Sequence, residues 1–406
     1  MRQSNSIIVA LTAILTCIGI SSAIITTVYQ EKGERFMDFL ERMNAEPDTT
    51  IKRRLADEFF QMVRAFGRPV IEDSTVCFLY QGNARRVSVP GDLNNWTISE
   101  DTMSRAIGTD LFYLQKTVDP RARFEYKVLV DSTRILDPLN QQRVLGGYGL
   151  NSEIWMPHYA PPAEIKYTQD IPHGTLDTLS IRSISLGREH PVFVYLPPGY
   201  TNSQERFPSI YVMDGGEYIT LGMMLNILDN LIAEKRIRPV VGVFIDPRTD
   251  PRNSQTSQRM HDYAMSDSFV QFLTEEVRPW LLKKYRLEKN PHQTAIMGAS
   301  LGGLISTYAA FTRADVFGLC AAQSPAYSWD QEAIIHTFAS SQKKPIRFYV
   351  DTGTIHDALL YARKMRRVLE EKGYELAYGE YPEGHNWANW RGRIDDILTY
   401  FWGIKE

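Results

Sequence analysis

From about Ile165 to the C-terminus, short apolar runs alternate with longer amphipathic ones, and few architectures can absorb that pattern. Val192–Leu196 reads as a strand stopped by Pro197-Pro198-Gly199. Ser209–Met213, Val240–Ile245, Thr294–Met297, Arg347–Val350 and Glu375–Tyr381 read as further strands. Phe269–Tyr285, Leu304–Phe311, Ala358–Lys372 and Ile394–Trp402 carry the spacing of helices. Strands joined through helices lie side by side in the same direction, with helices covering both faces of the sheet. The pattern predicts an α/β domain with a largely parallel sheet over residues 165–406.

The preceding residues have other textures. Ile7–Tyr29 runs for 23 residues without a charge, long enough at about 1.5 Å per residue to span a bilayer. Residues 1–29 are therefore expected to be a signal anchor or a signal peptide. A lipoprotein signal at Cys17 is the weakest reading, because Leu15-Thr16 lacks the small residues that precede a lipidated cysteine. Each of these readings exports the rest of the chain, as a membrane-anchored or secreted protein. Residues 30–70 read as a helical pair, with Phe36, Phe39, Leu40 and Met43, then Leu55, Phe59, Met62, Val63 and Phe66, at helical spacing. Over 71–160 short alternating runs are separated by turn residues, as in Phe124, Tyr126, Val128 and Val130. Such spacing predicts a small immunoglobulin-like β-sandwich.

A formal net charge of −3 over 406 residues leaves no electrostatic footprint for nucleic acid. The three cysteines make no disulfide framework, and Cys77 and Cys320 read as buried free thiols. No Cys/His spacing suggests a metal site, and no cofactor is expected. The oligomeric state is open.

Gly298-Ala299-Ser300-Leu301-Gly302 fits G-x-S-x-G, with an apolar strand before it and an apolar helix after it. A nucleophile at such a bend stands clear of the sheet, and small neighbours let strand and helix close around it. A serine hydroxyl needs a base to take its proton. Among the eight histidines, His385 follows the last strand in Glu383-Gly384-His385-Asn386-Trp387, where this order of residues requires the base. The acid should follow the preceding strand, where Asp351 and Asp357 flank Thr352-Gly353-Thr354. Asp357 is preferred, because a Gly-Thr turn after Asp351 would take the chain out of the sheet. For the oxyanion hole, the Leu301 N–H qualifies by position, and Gly215 or Gly216 in Asp214-Gly215-Gly216 can supply the second donor. Trp387 and Trp390 could line an acyl pocket or simply pack. Arg248, Arg252 and Arg259 could meet an anionic substrate or be structural.

Tyr195-Leu196-Pro197-Pro198-Gly199-Tyr200, Met213-Asp214-Gly215-Gly216-Glu217-Tyr218, the Ser300 elbow, Asp351-Thr352-Gly353-Thr354 and Glu383–Trp387 stand in the order of one family. From about Ile165 onward the chain resembles the putative esterase family of α/β-hydrolases, which includes enterochelin, feruloyl and acetylxylan esterases and mycolyltransferases. The resemblance implies Ser300, Asp357 and His385 as a triad. It also implies a small-molecule or glycan-linked ester substrate, with hydrolysis or acyl transfer as the reaction. In many relatives the acid stands closer to the Gly-Thr pair than Asp357 does here.

Val89–Trp96, Glu125–Val128 and Leu136-Asp137-Pro138 resemble early-set, isoamylase-N-terminal sandwiches. Trp96, Lys127 and Asn151 match glycan-contacting positions of that type, but Arg134 stands where a second stacking tryptophan is expected. A glycan-binding protein with an idle hydrolase scaffold is therefore the competing reading.

Overall fold

The computed structural model describes residues 35–404. The apolar run 7–29, with Cys17, lies outside the described residues. Among the described residues no helix is long and apolar enough to cross a membrane. The chain divides into two compact units. Residues up to Pro90, with Thr97–Pro120 and Lys127–Arg143, form the first; Gly91–Trp96, Arg121–Tyr126 and the residues from Val144 onward form the second.

In the first unit, helices Phe36–Ala45 and Thr49–Phe66 form where the periodicity predicts. Asp48 caps the second helix by accepting the Thr50 and Ile51 N–H groups, and Gly67 ends it in the left-handed region at φ 67°. The pair is more than a connector. Phe36, Phe39, Phe59 and Val63 share one apolar core with Val70, Cys77, Leu79 and Leu111.

Ten short strands follow, β1 (Val70–Glu72), β2 (Thr75–Gln81), β3 (Val87–Ser88), β4 (Ser104–Arg105), β5 (Leu111–Thr117), β6 (Arg123–Tyr126), β7 (Val128–Val130), β8 (Thr133–Ile135), β9 (Arg143–Gly146) and β10 (Gly149–Trp155), and the runs read from the sequence fall in β2, β3, β5, β6 and β7. They form three small sheets, ordered β1-β2-β5-β4, β3-β7-β8 and β6-β10-β9. The run expected as one strand from Phe124 to Val130 breaks at Lys127. Its first half pairs with β10 in the second unit, and its second half pairs with β3 and β8 in the first.

The second unit is built on β11 (Thr175–Arg182), β12 (Glu189–Leu196), β13 (Ser209–Met213), β14 (Val241–Ile245), β15 (Thr294–Ala299), β16 (Leu319–Gln323), β17 (Arg347–Gly353) and β18 (Glu375–Tyr381). Their order is β11-β12-β14-β13-β15-β16-β17-β18. From β14 to β18 every pairing is parallel, but β11 and β12 are antiparallel, as are β12 and β14. The sheet is therefore mixed, because a short turn between β11 and β12 replaces a crossover helix. Alternate residues of β15 feed separate cores on the two faces. Ile296 packs with Leu304 and Ile305, and Ala295 and Met297 pack with Ile394 and Leu398. Chain order reverses between β13 and β15, and in such sheets that switch point opens a crevice beyond the strand ends. Asp214-Gly215-Gly216 and Ser300 lie at those two ends.

Candidate active site

Ser300 sits at φ 58° and ψ −120°, between β15 and the helix Leu301–Thr312. Few side-chain-bearing residues tolerate that conformation, which costs about 1–3 kcal/mol and persists only where the surroundings enforce it. The enforcement is visible. A Cβ on Gly298 would lie 2.6 Å from the Gly302 backbone, so the strand and the following helix close only because position 298 is glycine. The Ser300 N–H donates to Gln323 O at 2.9 Å, and the Ala326 N–H donates to Ser300 O at 2.9 Å. The elbow is thereby tied to the end of β16.

Asp357 and His385 meet at the same end of the sheet. Asp357 Oδ1 lies 2.6 Å from His385 Nδ1. The carboxylate also accepts the Ser324 hydroxyl at 2.6 Å, the Gly353 N–H at 2.5 Å and the Ala358 N–H at 2.7 Å. Burial alone would raise its pKa, but the imidazole, the Ser324 hydroxyl and the Gly353 amide outweigh it and hold the carboxyl below its ordinary range. An ionised acid at Nδ1 fixes the ring tautomer and leaves Nε2 to exchange a proton. The Trp390 ring meets His385 edge-on at 5.0 Å, and its Nε1 donates to Ser324 Oγ at 3.0 Å. Gln323 and Ser324 thus connect the Ser300 elbow to the Asp357–His385 pair. Ser300 and His385 are not directly hydrogen-bonded to each other, and such bonds commonly tighten only with substrate in place.

Asp351 takes a different position. β17 continues to Gly353, so the chain does not leave the sheet after Asp351 as its Gly-Thr turn suggests. The Asp351 side chain is buried, accepts Gln323 Nε2 at 3.2 Å, and is pushed up to about 8 chiefly by burial. It is protonated near neutrality. Asp357→Asn is therefore expected to lower kcat by roughly 10²–10⁴-fold, and Asp351→Asn by less than about threefold. A raised folded pKa means that Asp351 costs stability as pH climbs from about 4 to about 8, because over that range the native state keeps a proton that the unfolded state has already released. Asp351→Asn should therefore flatten the decline in stability between about pH 5 and pH 8, read by thermal melts across that range.

Asp214, at φ 57°, precedes the short helix Gly215–Thr220. A Cβ on Gly215 would lie 2.5 Å from the Phe244 backbone, which accounts for glycine there. Among the described residues, the N–H groups of Gly215, Gly216 and Leu301 form no hydrogen bond. The three arginines proposed for an anionic substrate each hold an acid of their own. Arg248 binds Asp246, Arg252 binds Asp250, and Arg259 binds Asp214. Trp387 and Trp390 are buried, so both are packing residues here.

The loop bearing His385 is braced by a buried polar network within the second unit. Arg123 Nη1 donates to Asn386 Oδ1 at 2.7 Å, and Asn386 Nδ2 donates to Asp92 Oδ2 at 2.8 Å. Trp96 donates its indole N–H to Asp92, and Asn151 donates to Glu125. Two of the three residues matched to glycan contacts are therefore engaged inside the protein.

The putative esterase family matches residues 183–401, more than half of the chain. The chain belongs to that family. It is a carboxylic ester hydrolase. Over 161 residues this esterase is 29% identical to an endo-1,4-beta-xylanase/feruloyl esterase of Xylanibacter ruminicola, a match covering 37% of this chain and 22% of that protein. It is 20% identical over 288 residues to an iron(III) enterobactin esterase of Dickeya dadantii, covering 64% of this chain and 63% of that one. Among solved structures, the ferric enterobactin esterase of Salmonella typhimurium superposes with a TM-score of 0.69 at 19% identity, over 82% of this chain and 95% of that one. That likeness shows a shared fold.

Sequence reading missed Ser324 and the Asp92–Arg123–Asn386 network, and it named Arg259 without its tie between Asp214 and Ala299. Ser324 had one usable signal: Ser324-Pro325 ends the apolar string that forms β16.

Proposed function

We propose that the esterase works through an acyl-serine intermediate. Ser300 Oγ attacks the ester carbonyl while His385 Nε2 takes its proton. Asp357 steadies the imidazolium, and the N–H groups of Leu301 and of Gly215 or Gly216 receive the developing oxyanion. Collapse of the tetrahedral intermediate breaks the bond to the alcohol oxygen, which leaves with the proton from His385. Water then attacks the acyl-serine, again through His385, and releases the acid. The observation that carries this reading is the 2.6 Å Asp357–His385 contact at the strand ends that also present the strained Ser300.

For substrate, the siderophore and feruloyl esterases among the relatives support an ester of an aromatic-acid conjugate. The charge-free run 7–29 supports action outside the cytoplasm, with the chain held at a membrane or released from it. The engagement of Trp96 and Asn151 inside the protein supports catalysis over sugar capture. The test is a panel of catecholate, feruloyl and acetylated-sugar esters, with and without sugar or lipid acceptors, and products read by mass spectrometry. Free acid and alcohol from one class are expected. Acyl-acceptor product in place of free acid, or turnover of none, would contradict the proposal.

A further inference from the structure

Arg259 lies outside every motif that marks the site, yet its guanidinium joins both loops carrying the proposed oxyanion donors. Nε donates to Asp214 Oδ1 at 2.8 Å and Nη2 to Asp214 Oδ2 at 2.9 Å. Nη2 also donates to Ala299 O at 3.0 Å. Asp214 immediately precedes Gly215-Gly216, and Ala299 immediately precedes Ser300-Leu301. A single planar cation therefore spans the switch point between β13 and β15, with three bonds fixing its orientation.

The residues it joins need such a tie. Asp214 and Ser300 both hold positive φ, at 57° and 58°, so both turns relax toward ordinary backbone unless restrained. The Asp214 carboxylate also lies close to the elbow helix, since a Cβ on Gly302 would lie 3.0 Å from Asp214 Oδ2. The Asp214 N–H donates to the Tyr263 hydroxyl at 2.9 Å, and the Arg259 guanidinium lies over the Tyr263 ring at 5.5 Å. Arg259 and Tyr263 belong to one short helix, Arg259–Tyr263, so one element grips Asp214 at both its backbone and its side chain.

We propose that Arg259 is a positioning residue for the oxyanion hole: it sets the separation of the Gly215-Gly216 amides from the Leu301 amide by tying Asp214 to Ala299. This rests on the serine-esterase reading. It assigns Arg259 no contact with substrate. Its loss therefore weakens stabilisation of the tetrahedral intermediate and leaves ground-state binding nearly intact.

The experiment compares wild type, Arg259→Met and Arg259→Lys on a small uncharged ester, and measures inhibition by an alkylboronic acid, which forms a tetrahedral adduct on the serine. Arg259→Met is expected to lower kcat by about 10–100-fold with KM within about threefold, and to weaken the boronic acid by a similar factor. Arg259→Lys keeps the charge but on a single nitrogen that cannot span the three acceptors, and should recover only part of the loss. Methylguanidinium added to Arg259→Met should restore kcat in a concentration-dependent way. If Arg259→Met does not fold, the Lys variant decides through the same split. Unchanged kcat and boronic acid affinity in a folded variant would overturn the proposal, as would a loss confined to KM, which would make Arg259 a substrate-binding group. Absence of turnover in wild type would instead overturn the serine-esterase reading.

Discussion

Ser300→Ala is expected to lower kcat for a small activated ester by roughly 10⁴–10⁶-fold, while the thermal unfolding curve stays within a few degrees of wild type. The size of the loss follows from the nature of the step. Without the hydroxyl no acyl-enzyme can form, and what remains is binding plus whatever the oxyanion donors give to direct attack by water. The small change in stability follows from the local structure. Alanine meets the same positive φ as serine, and the two hydrogen bonds that tie the elbow to β16 and Ala326 use only backbone atoms of Ser300. A variant that unfolds early would point to a structural role for the hydroxyl. A folded variant with substantial turnover would remove Ser300 from the mechanism.

The largest stability effect is expected at Arg123. β6 and β10 place Glu125 directly opposite Glu153, two buried carboxylates that would repel one another. Arg123 resolves the conflict. Its Nη2 donates to Glu125 at 2.8 Å, its Nε to Glu153 at 2.5 Å, and its third nitrogen reaches Asn386 beside His385. The guanidinium is fully buried, so its charge is matched by these acids and not by water. Arg123→Met keeps the bulk and strands both acids, at a cost of about 3–5 kcal/mol. For a unit of this size that corresponds to a fall in Tm of roughly 5–10 °C. Scanning calorimetry would measure it, and a change below about 2 °C would show that the cluster is not held by this residue. The same substitution removes a brace from the His385 loop, so kcat should drop in the cold, where the fold survives. Acid does not reproduce that loss of stability. Asp92, raised to about 6 by burial and the neighbouring Glu125, takes up a proton more readily folded than unfolded, so falling pH favours the folded unit through this group even as Asp92 weakens as an acceptor for Asn386.

The parts of this site that the sequence reveals are those set by local chain direction. A G-x-S-x-G bend between two apolar segments has one geometry, so the Ser300 elbow could be read directly. His385 could be read because it follows the last strand. Other features depend on distance along the chain or on where an element stops. The choice between Asp351 and Asp357 turns on β17 running two residues past Asp351, which the Gly-Thr turn disguises. β16 escapes notice because Leu319-Cys320-Ala321-Ala322-Gln323 is short and half alanine-like in strand preference. β11 escapes because an edge strand with mostly exposed residues shows little apolar alternation. Arg123 lies 263 residues from Asn386, and no local pattern signals that they meet. Arg259 looks like one more loop arginine until Asp214 and Ala299 are brought to its two sides.

The central claim is that acyl groups pass through the Ser300 hydroxyl, and trapping the intermediate tests it most directly. The protein is quenched in acid during turnover of a slowly deacylated ester, digested, and the modified peptide sequenced by mass spectrometry. The account predicts an acyl increment on Ser300, within Gly298–Gly302, that is absent from Ser300→Ala and accumulates only slowly in His385→Ala. An increment on another residue, or turnover with Ser300 unmodified and the Ser300→Ala variant still active, would contradict it.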